Sequence, residues 1–302
     1  MRVTVCDVGP RDGLQNEDTY LDPDVRAELV GRLARCGLRR VEAVSFVDPR
    51  RVPQMGGAEE VLAAAEVVPG TTYSGLVLNE KGFERLVAAG LREAHIAFAC
   101  TETFNRRNQN ASVEESIQAA TRIIKRARDE GVRTTVTLAA AFGCPFEGEV
   151  DPALVLDIGS RVVAAKTDEL LLADTIGVAV PGEVKRLVYE ALRLGLPVGV
   201  HLHDTRHTGI ANAFAALDAG ATVFDAAVGG IGGCPFAPRA TGNVCTEDLL
   251  YAFHREGVET GVNLDELIEV AEWLSAQLGR TLPGRVYRAG NWPDLTKEGG
   301  GS

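Results

Sequence analysis

The sequence predicts an α/β fold, a (β/α)8 TIM barrel with extra C-terminal helices, on three observations. Apolar, β-branched runs of strand length recur eight times along 302 residues. Longer stretches of helical period separate them, an alternation that implies parallel strands with right-handed crossovers. No GxGxxG turn follows the first run, as a nucleotide-binding open sheet would carry. The alternative architecture is an open doubly wound sheet, which usually has fewer strands.

Taken in order, the strands are expected at residues 3–7, 40–46, 72–78, 93–100, 133–141, 169–173, 198–203 and 223–227. Helices are expected between them at 23–36, 58–67, 81–89, 112–130, 152–165, 182–194 and 209–219. The last repeats Ala and Leu at helical spacing and stops at Gly220, a favoured terminator. Beyond the eighth unit, 246–256 and 263–278 read as further helices packed on the barrel. Residues 1–280 are thus read as one barrel domain with its C-terminal helices, and 281–302 as an extension. It ends in Lys-Glu-Gly-Gly-Gly-Ser, a tail expected to be disordered.

Composition narrows the function. Hydrophobic residues at 45% and charged residues at 24% are those of a globular protein able to bury a core without staples. A net charge of −11 argues against a nucleic-acid surface, so an anionic ligand must be met by a few local basic groups. Cys6, Cys36, Cys100, Cys144, Cys234 and Cys245 include no CxxC pair, and Met1-Arg2 runs directly into a strand instead of a secretory segment. Reduced thiols and a cytoplasmic location are expected. No apolar run has bilayer length, so no membrane partner is expected.

Polar residues at strand C-terminal ends draw attention first, because barrel active sites form there. The first strand leads into Gly9-Pro10-Arg11-Asp12-Gly13, a punctuated turn around an Arg-Asp pair. By itself that pair reads more readily as a surface ion pair on a solvated loop. The seventh strand ends in His201-Leu202-His203-Asp204, and alternate strand residues share a face. Two imidazoles there suit a metal, although a strand histidine is often only a satisfied core residue. After the eighth strand comes Gly229-Gly230-Ile231-Gly232-Gly233-Cys234, continuing to Asn243. Such glycine density fits a mobile loop, a phosphate cradle or a linker.

The blocks Gly9-Pro10-Arg11-Asp12-Gly13-Leu14-Gln15-Asn16-Glu17, Ser45-Phe46-Val47-Asp48-Pro49, Gly143-Cys144-Pro145-Phe146-Glu147-Gly148, Asp174-Thr175-Ile176-Gly177, His201-Leu202-His203-Asp204-Thr205 and Gly232-Gly233-Cys234-Pro235-Phe236-Ala237 occur in this order. With Gly242-Asn243 they resemble the ordered signature of the 3-hydroxy-3-methylglutaryl-CoA (HMG-CoA) lyases from residue 3 to about 262. The resemblance implies a Mg2+ or Mn2+ enzyme that acts on an acyl-CoA substrate and is assembled as a homo-oligomer, a dimer in that family. It implies metal ligands Asp12, His201, His203 and the amide oxygen of Asn243. It puts Arg11 at the thioester carbonyl, Glu42 in support, Cys234 as acid and Asp174 within the site. Substrate contacts are expected from Arg11, Gln15, Arg206 and His207.

Those roles are chemically consistent. Cleavage between C2 and C3 of a 3-hydroxyacyl thioester must remove the hydroxyl proton and place charge on a thioester enolate. A divalent ion acidifies the hydroxyl, an arginine stabilises the enolate oxygen, and a protonated thiol delivers the last proton.

The chain departs from the family where animal-type members continue Tyr-Gly-Gln. Here Arg206-His207-Thr208-Gly209 follows, and Asp18 stands where Lys is frequent. Arg206 and His207 either touch substrate or CoA phosphates, or face solvent at a helix start. Citramalyl-CoA or a longer 3-hydroxy-3-alkylglutaryl-CoA would use the same chemistry. A condensing synthase and a non-catalytic metal-binding barrel are the other two readings.

Overall fold

A computed structural model describes residues 1–233 and 242–292. Eight strands close a parallel barrel in chain order: β1 Thr4–Asp7, β2 Arg40–Ser45, β3 Thr72–Val77, β4 Glu93–Ala99, β5 Arg133–Ala139, β6 Glu169–Asp174, β7 Val198–Leu202 and β8 Val223–Ala226. Closure is made by β1 on β8, with Thr4 opposite Val223 and Asp7 opposite Ala226. Each lies within two residues of its expected limits, because buried β-branched runs have no other stable partner than neighbouring strands.

The helices are α1 Pro23–Arg35, α2 Ala58–Ala64, α3 Glu80–Ala88, α4 Glu102–Gln109, α5 Val113–Asp129, α6 Pro152–Ala164, α7 Pro181–Leu192, α8 Gly209–Ala219, α9 Thr246–Arg255, α10 Leu264–Leu278 and α11 Val286–Ala289. Local chemistry sets many of their ends. Pro23, Pro152 and Pro181 open three of them at the first turn, where the missing N–H costs nothing. Ser112 and Glu115 form a reciprocal capping box at α5. Gly220 and Gly279 end α8 and α10 in left-handed geometry.

Two expectations need correction. α2 stops at Ala64 instead of reaching residue 67, because Ala65 is already extended ahead of Val67-Val68-Pro69. α4 was not anticipated: its sequence is polar, and only Phe104 and Asn105 are buried. Tertiary bonds hold it. The Asn105 amide donates to the carbonyls of Ala111 and Ser112 and to Ser116 Oγ, and its oxygen accepts from Ala99 N.

The apolar core fills the space between barrel and helices, with Phe224, Phe253 and Phe214 packed edge to face. Leu282 and Tyr287 are buried in that core, and Gly284 N donates to Gly229 O at 2.9 Å. The chain after α10 therefore braces the base of the glycine segment. The tail from 293 onward lies outside the described residues. The five described cysteines, Cys6, Cys36, Cys100, Cys144 and Cys245, are free thiols. Among the described residues no helix is long and apolar enough to cross a membrane.

Beneath the glycine segment, Glu247 is buried and accepts a hydrogen bond from Gly229 N at 3.0 Å. Burial raises its carboxyl to about 7. A carboxyl whose folded value is raised contributes stability that is full below the unfolded value and is lost as pH rises through the folded one. Between about pH 4.5 and 7 the wild-type protein should therefore lose stability from this group. Glu247→Gln keeps the acceptor and cannot ionise, so its denaturant midpoint should gain on wild type from pH 5 to pH 8. A constant difference across that range would refute the assignment.

Candidate active site

The turn after β1 is a π-helical turn, Gly9–Gly13, with Pro10 near its start. Gly13 N reaches back to Val8 O at 3.1 Å, and the extra residue of this wide turn swings Arg11 and Asp12 over the barrel mouth. The pair is not on a solvated loop. Arg11 is buried, with Nη1 donating to Asp12 Oδ1 at 2.6 Å and Nη2 donating to Glu42 Oε2 at 2.8 Å from β2. Burial alone would weaken the guanidinium's hold on its proton, but Glu42 and Asp12 outweigh it and raise its pKa. Burial likewise favours protonation of Glu42, yet Arg11 and then His95 hold it down to about 2.

Across the mouth, His201 is the inward residue near the end of β7, and His203 follows one residue past the strand. The two Nε2 atoms are 3.2 Å apart, and His201 Nε2 is 3.8 Å from Asp12 Oδ2. His201 Nδ1 sits 3.3 Å from Asp225 Oδ2 on β8, which orients the ring so that Nε2 faces the mouth. His203 and Asn243 form an isolated antiparallel bridge, so the fourth expected residue arrives from the far end of the glycine segment. Asn243 donates Nδ2–H to Asp12 Oδ2 at 2.9 Å and to Ile231 O at 3.1 Å.

These residues fit a divalent cation. One ligand atom each from Asp12, His201 and His203 lies within 4.8 Å of the others. Metal–ligand bonds of about 2.1 Å place adjacent ligands about 3 Å apart, comparable to the His–His spacing. Asn243 Oδ1 is buried without a hydrogen-bond partner among the described residues. Half-buried Asp12 and buried Glu42 pair with the single guanidinium of Arg11, and buried Asp225 lies against His201, so three carboxylates and one guanidinium leave two formal negative charges that a divalent ion balances. Two imidazoles, a carboxylate and an amide oxygen form a hard to borderline donor set.

The remaining expected residues are placed as follows. Gln15 is half-buried just beyond the π-helical turn. Asp174, at the end of β6, accepts from Val178 N and Ala179 N at 2.9 Å with its two oxygens, so it shapes the following loop. Arg206 is exposed and donates to the carbonyls of Ile176 and Gly177 on that loop. His207 is exposed, in left-handed geometry, with Nδ1 3.5 Å from Asp204 Oδ2. Both rim residues are thus tied to protein groups as well as facing solvent. Cys234 lies outside the described residues.

Both ends of its segment are described and held together. Asn16 Nδ2 donates to Gly233 O at 2.8 Å, and Asp204 N donates to Gly242 O at 3.1 Å. A Cβ on Gly242 would lie 2.2 Å from Gly230 O, so only glycine admits this approach. Sequence reasoning did not single out Asp225 or His95, which support His201 and Glu42. Their one signal is a polar residue at an inward strand position, alone on β8 and two residues from Glu93 on β4.

The HMGL-like family model matches residues 2–274, most of the chain. The chain belongs to the HMGL-like family. Its relatives include an (R)-citramalyl-CoA lyase of Chloroflexus aurantiacus, 46% identical over 300 residues and covering 95% of each chain. A hydroxymethylglutaryl-CoA lyase of Pseudomonas mevalonii is 44% identical over 280 residues, covering 92% of this chain and 93% of the relative. Among solved structures, an HMG-CoA lyase of Acinetobacter baumannii in complex with coenzyme A and 3-methylmalate superposes with a TM-score of 0.93. It is 38% identical and 97% of each chain is covered. This HMGL-like barrel thus carries its candidate ligands at the C-terminal face, where TIM-barrel sites form.

Proposed function

We propose that this HMGL-like enzyme is a metal-dependent carbon–carbon lyase that cleaves an HMG-CoA-type thioester to acetyl-CoA and a 3-oxo acid. The observation that carries the reading is the convergence of Asp12, His201 and His203 beside a buried Arg11. A metal-binding barrel without catalysis leaves that guanidinium unexplained. A divalent cation, Mg2+ or Mn2+, held by Asp12, His201, His203 and the Asn243 oxygen would act as a Lewis acid on the substrate hydroxyl and carboxylate.

The chain's own residues do the rest. The C2–C3 bond breaks, its electron pair passes to C2 as a thioester enolate, and C3 becomes a carbonyl as its hydroxyl proton passes to water at the barrel mouth, the pool that later restores the thiol. Arg11 stabilises the enolate oxygen with hydrogen bonds that strengthen as charge develops. Glu42 fixes Arg11 from below. Cys234 donates its proton to C2, releasing the acetyl thioester. Asp174 positions the loop whose carbonyls hold Arg206, while Gln15, Arg206 and His207 meet the acyl-CoA at the rim. The protein acts in the cytoplasm as a homodimer.

A citramalyl-CoA lyase is the second reading, favoured by the 46% identity to the Chloroflexus enzyme. It breaks the same bond and yields a 2-oxo acid. Incubating purified protein with Mn2+ and each thioester, then separating acetoacetate from pyruvate, decides between them. In the same assay Cys234→Ser should bind substrate nearly normally and lose most turnover, because a hydroxyl is a far weaker acid. Wild-type turnover in that variant would move the protonation step to another group.

A further inference from the structure

Most TIM barrels fill their lumen with layers of branched apolar side chains. Here the strands turn polar groups inward at alternate positions: Arg40 and Glu42 on β2, Glu93 and His95 on β4, Thr135 and Thr137 on β5. In the lower layer the charges match. Arg40 bonds Glu169, Glu93 and Thr135, and Arg133 closes the ring on both glutamates. Two guanidiniums match two carboxylates, and the cluster faces the end of the barrel away from the site.

The layer above is open toward the site. Thr137 Oγ1 is 2.6 Å from His95 Nε2, and His95 Nδ1 is 2.8 Å from Glu42 Oε1. The other oxygen of that carboxylate accepts from Arg11 Nη2 at 2.8 Å, and Arg11 Nη1 donates to Asp12 at 2.6 Å. His95 and Glu42 are both buried. Glu42 is held ionised and can only accept, so the hydrogen between Glu42 Oε1 and His95 Nδ1 belongs to the ring nitrogen, while Nε2 pairs with the Thr137 hydroxyl.

We propose that His95 is a positioning residue for the cleavage, setting the rotation of the Glu42 carboxylate and through it the aim of Arg11. This rests on the reading of Arg11 as the group that stabilises the enolate. A carboxylate facing an arginine tends to accept two parallel hydrogen bonds from its fork. That arrangement would draw the guanidinium off Asp12 and turn it down toward Glu42. His95 prevents it by occupying Oε1, so only Oε2 is left to Arg11 and Nη1 stays at Asp12. Without His95 a buried carboxylate oxygen would lack its donor, and rotation of Glu42 onto the Arg11 fork is the nearest relief. A displacement of about 1 Å at a reacting group costs on the order of 10²-fold in rate.

Three substitutions separate positioning from bulk structure. Asn at 95 places an amide N–H near the Nδ1 position, Gln places its amide near Nε2, and Leu supplies neither. Turnover and KM are measured with Mn2+ and the thioester that wild type cleaves fastest, alongside Mn2+ affinity and thermal midpoint. His95→Leu should lower kcat by about 10²-fold with KM within about threefold of wild type. His95→Asn should recover to within about fivefold of wild type, whereas His95→Gln should fall with Leu, at unchanged Mn2+ affinity in all three. Should His95→Leu not fold, the Asn and Gln pair still decides. Equal turnover in Asn and Gln, or wild-type turnover in Leu, overturns the proposal. A wild-type protein that cleaves no thioester sinks the lyase reading together with this one; an active wild type beside a fully active His95→Leu sinks this one alone.

Discussion

Replacing Arg11 by methionine is expected to lower turnover by about 10²- to 10³-fold while leaving the Michaelis constant within a few-fold of wild type. The side chain is buried, and one N–H of each terminal nitrogen is committed to Asp12 or Glu42 before substrate arrives, which fixes the plane of the fork and leaves the second N–H of each for substrate. Under the proposed role it is therefore already oriented when negative charge appears on the thioester oxygen, and no reorganisation is needed at that moment. The ground-state carbonyl carries little charge, so the contact contributes mostly in the transition state. Methionine conserves much of the stem volume, but it leaves Asp12 and Glu42 without a cation between them. The thermal midpoint should fall as well, and the kinetic effect should be read at a temperature where the variant is folded. Near-normal turnover with a strongly raised Michaelis constant would make Arg11 a binding residue only.

Exhaustive chelation should abolish turnover, and Mn2+ or Mg2+ should restore it. His203→Ala should remove metal binding, seen by calorimetry as a loss of at least about 10-fold in Mn2+ affinity. The effect is large because, under the proposed coordination, imidazole would supply a whole bond to the ion and alanine would leave water in its place. Asp12, by contrast, also anchors Arg11 and Asn243, so its replacement would mix several losses. Activity that survives chelation, or a His203→Ala variant with wild-type Mn2+ affinity, would move the metal elsewhere or dispense with it.

Much of the barrel was legible because its signals are local. Eight β-branched runs, proline at the first turn of three helices and glycine at helix ends act within a few residues, and the structure agrees to within a residue or two at most ends. α4 was hidden for the complementary reason: nothing apolar repeats in its sequence, and its hydrogen bonds reach Ala99, Ala111 and Ser116. The pairing of His201 with His203 could be seen as an i, i+2 step at a strand end. That Arg11 is buried and Asp12 half-buried could not, since their own sequence reads as a polar turn. A π-helical turn and the carboxylate of Glu42, 31 residues away, decide it.

The sequence by itself determined the fold class, the order of its units and the identities of the groups at the strand ends, because side-chain period and turn chemistry are properties of short segments. Only the tertiary structure decided which of those groups meet. Barrel closure brings β1 beside β8 and carries Asn243 across 231 residues to Asp12. It also placed Asp225 behind His201 and lined the lumen with Glu42, His95 and Thr137, three residues on three different strands. Contacts of that kind depend on strand register and inward direction around the whole ring, and no local stretch of the chain specifies either.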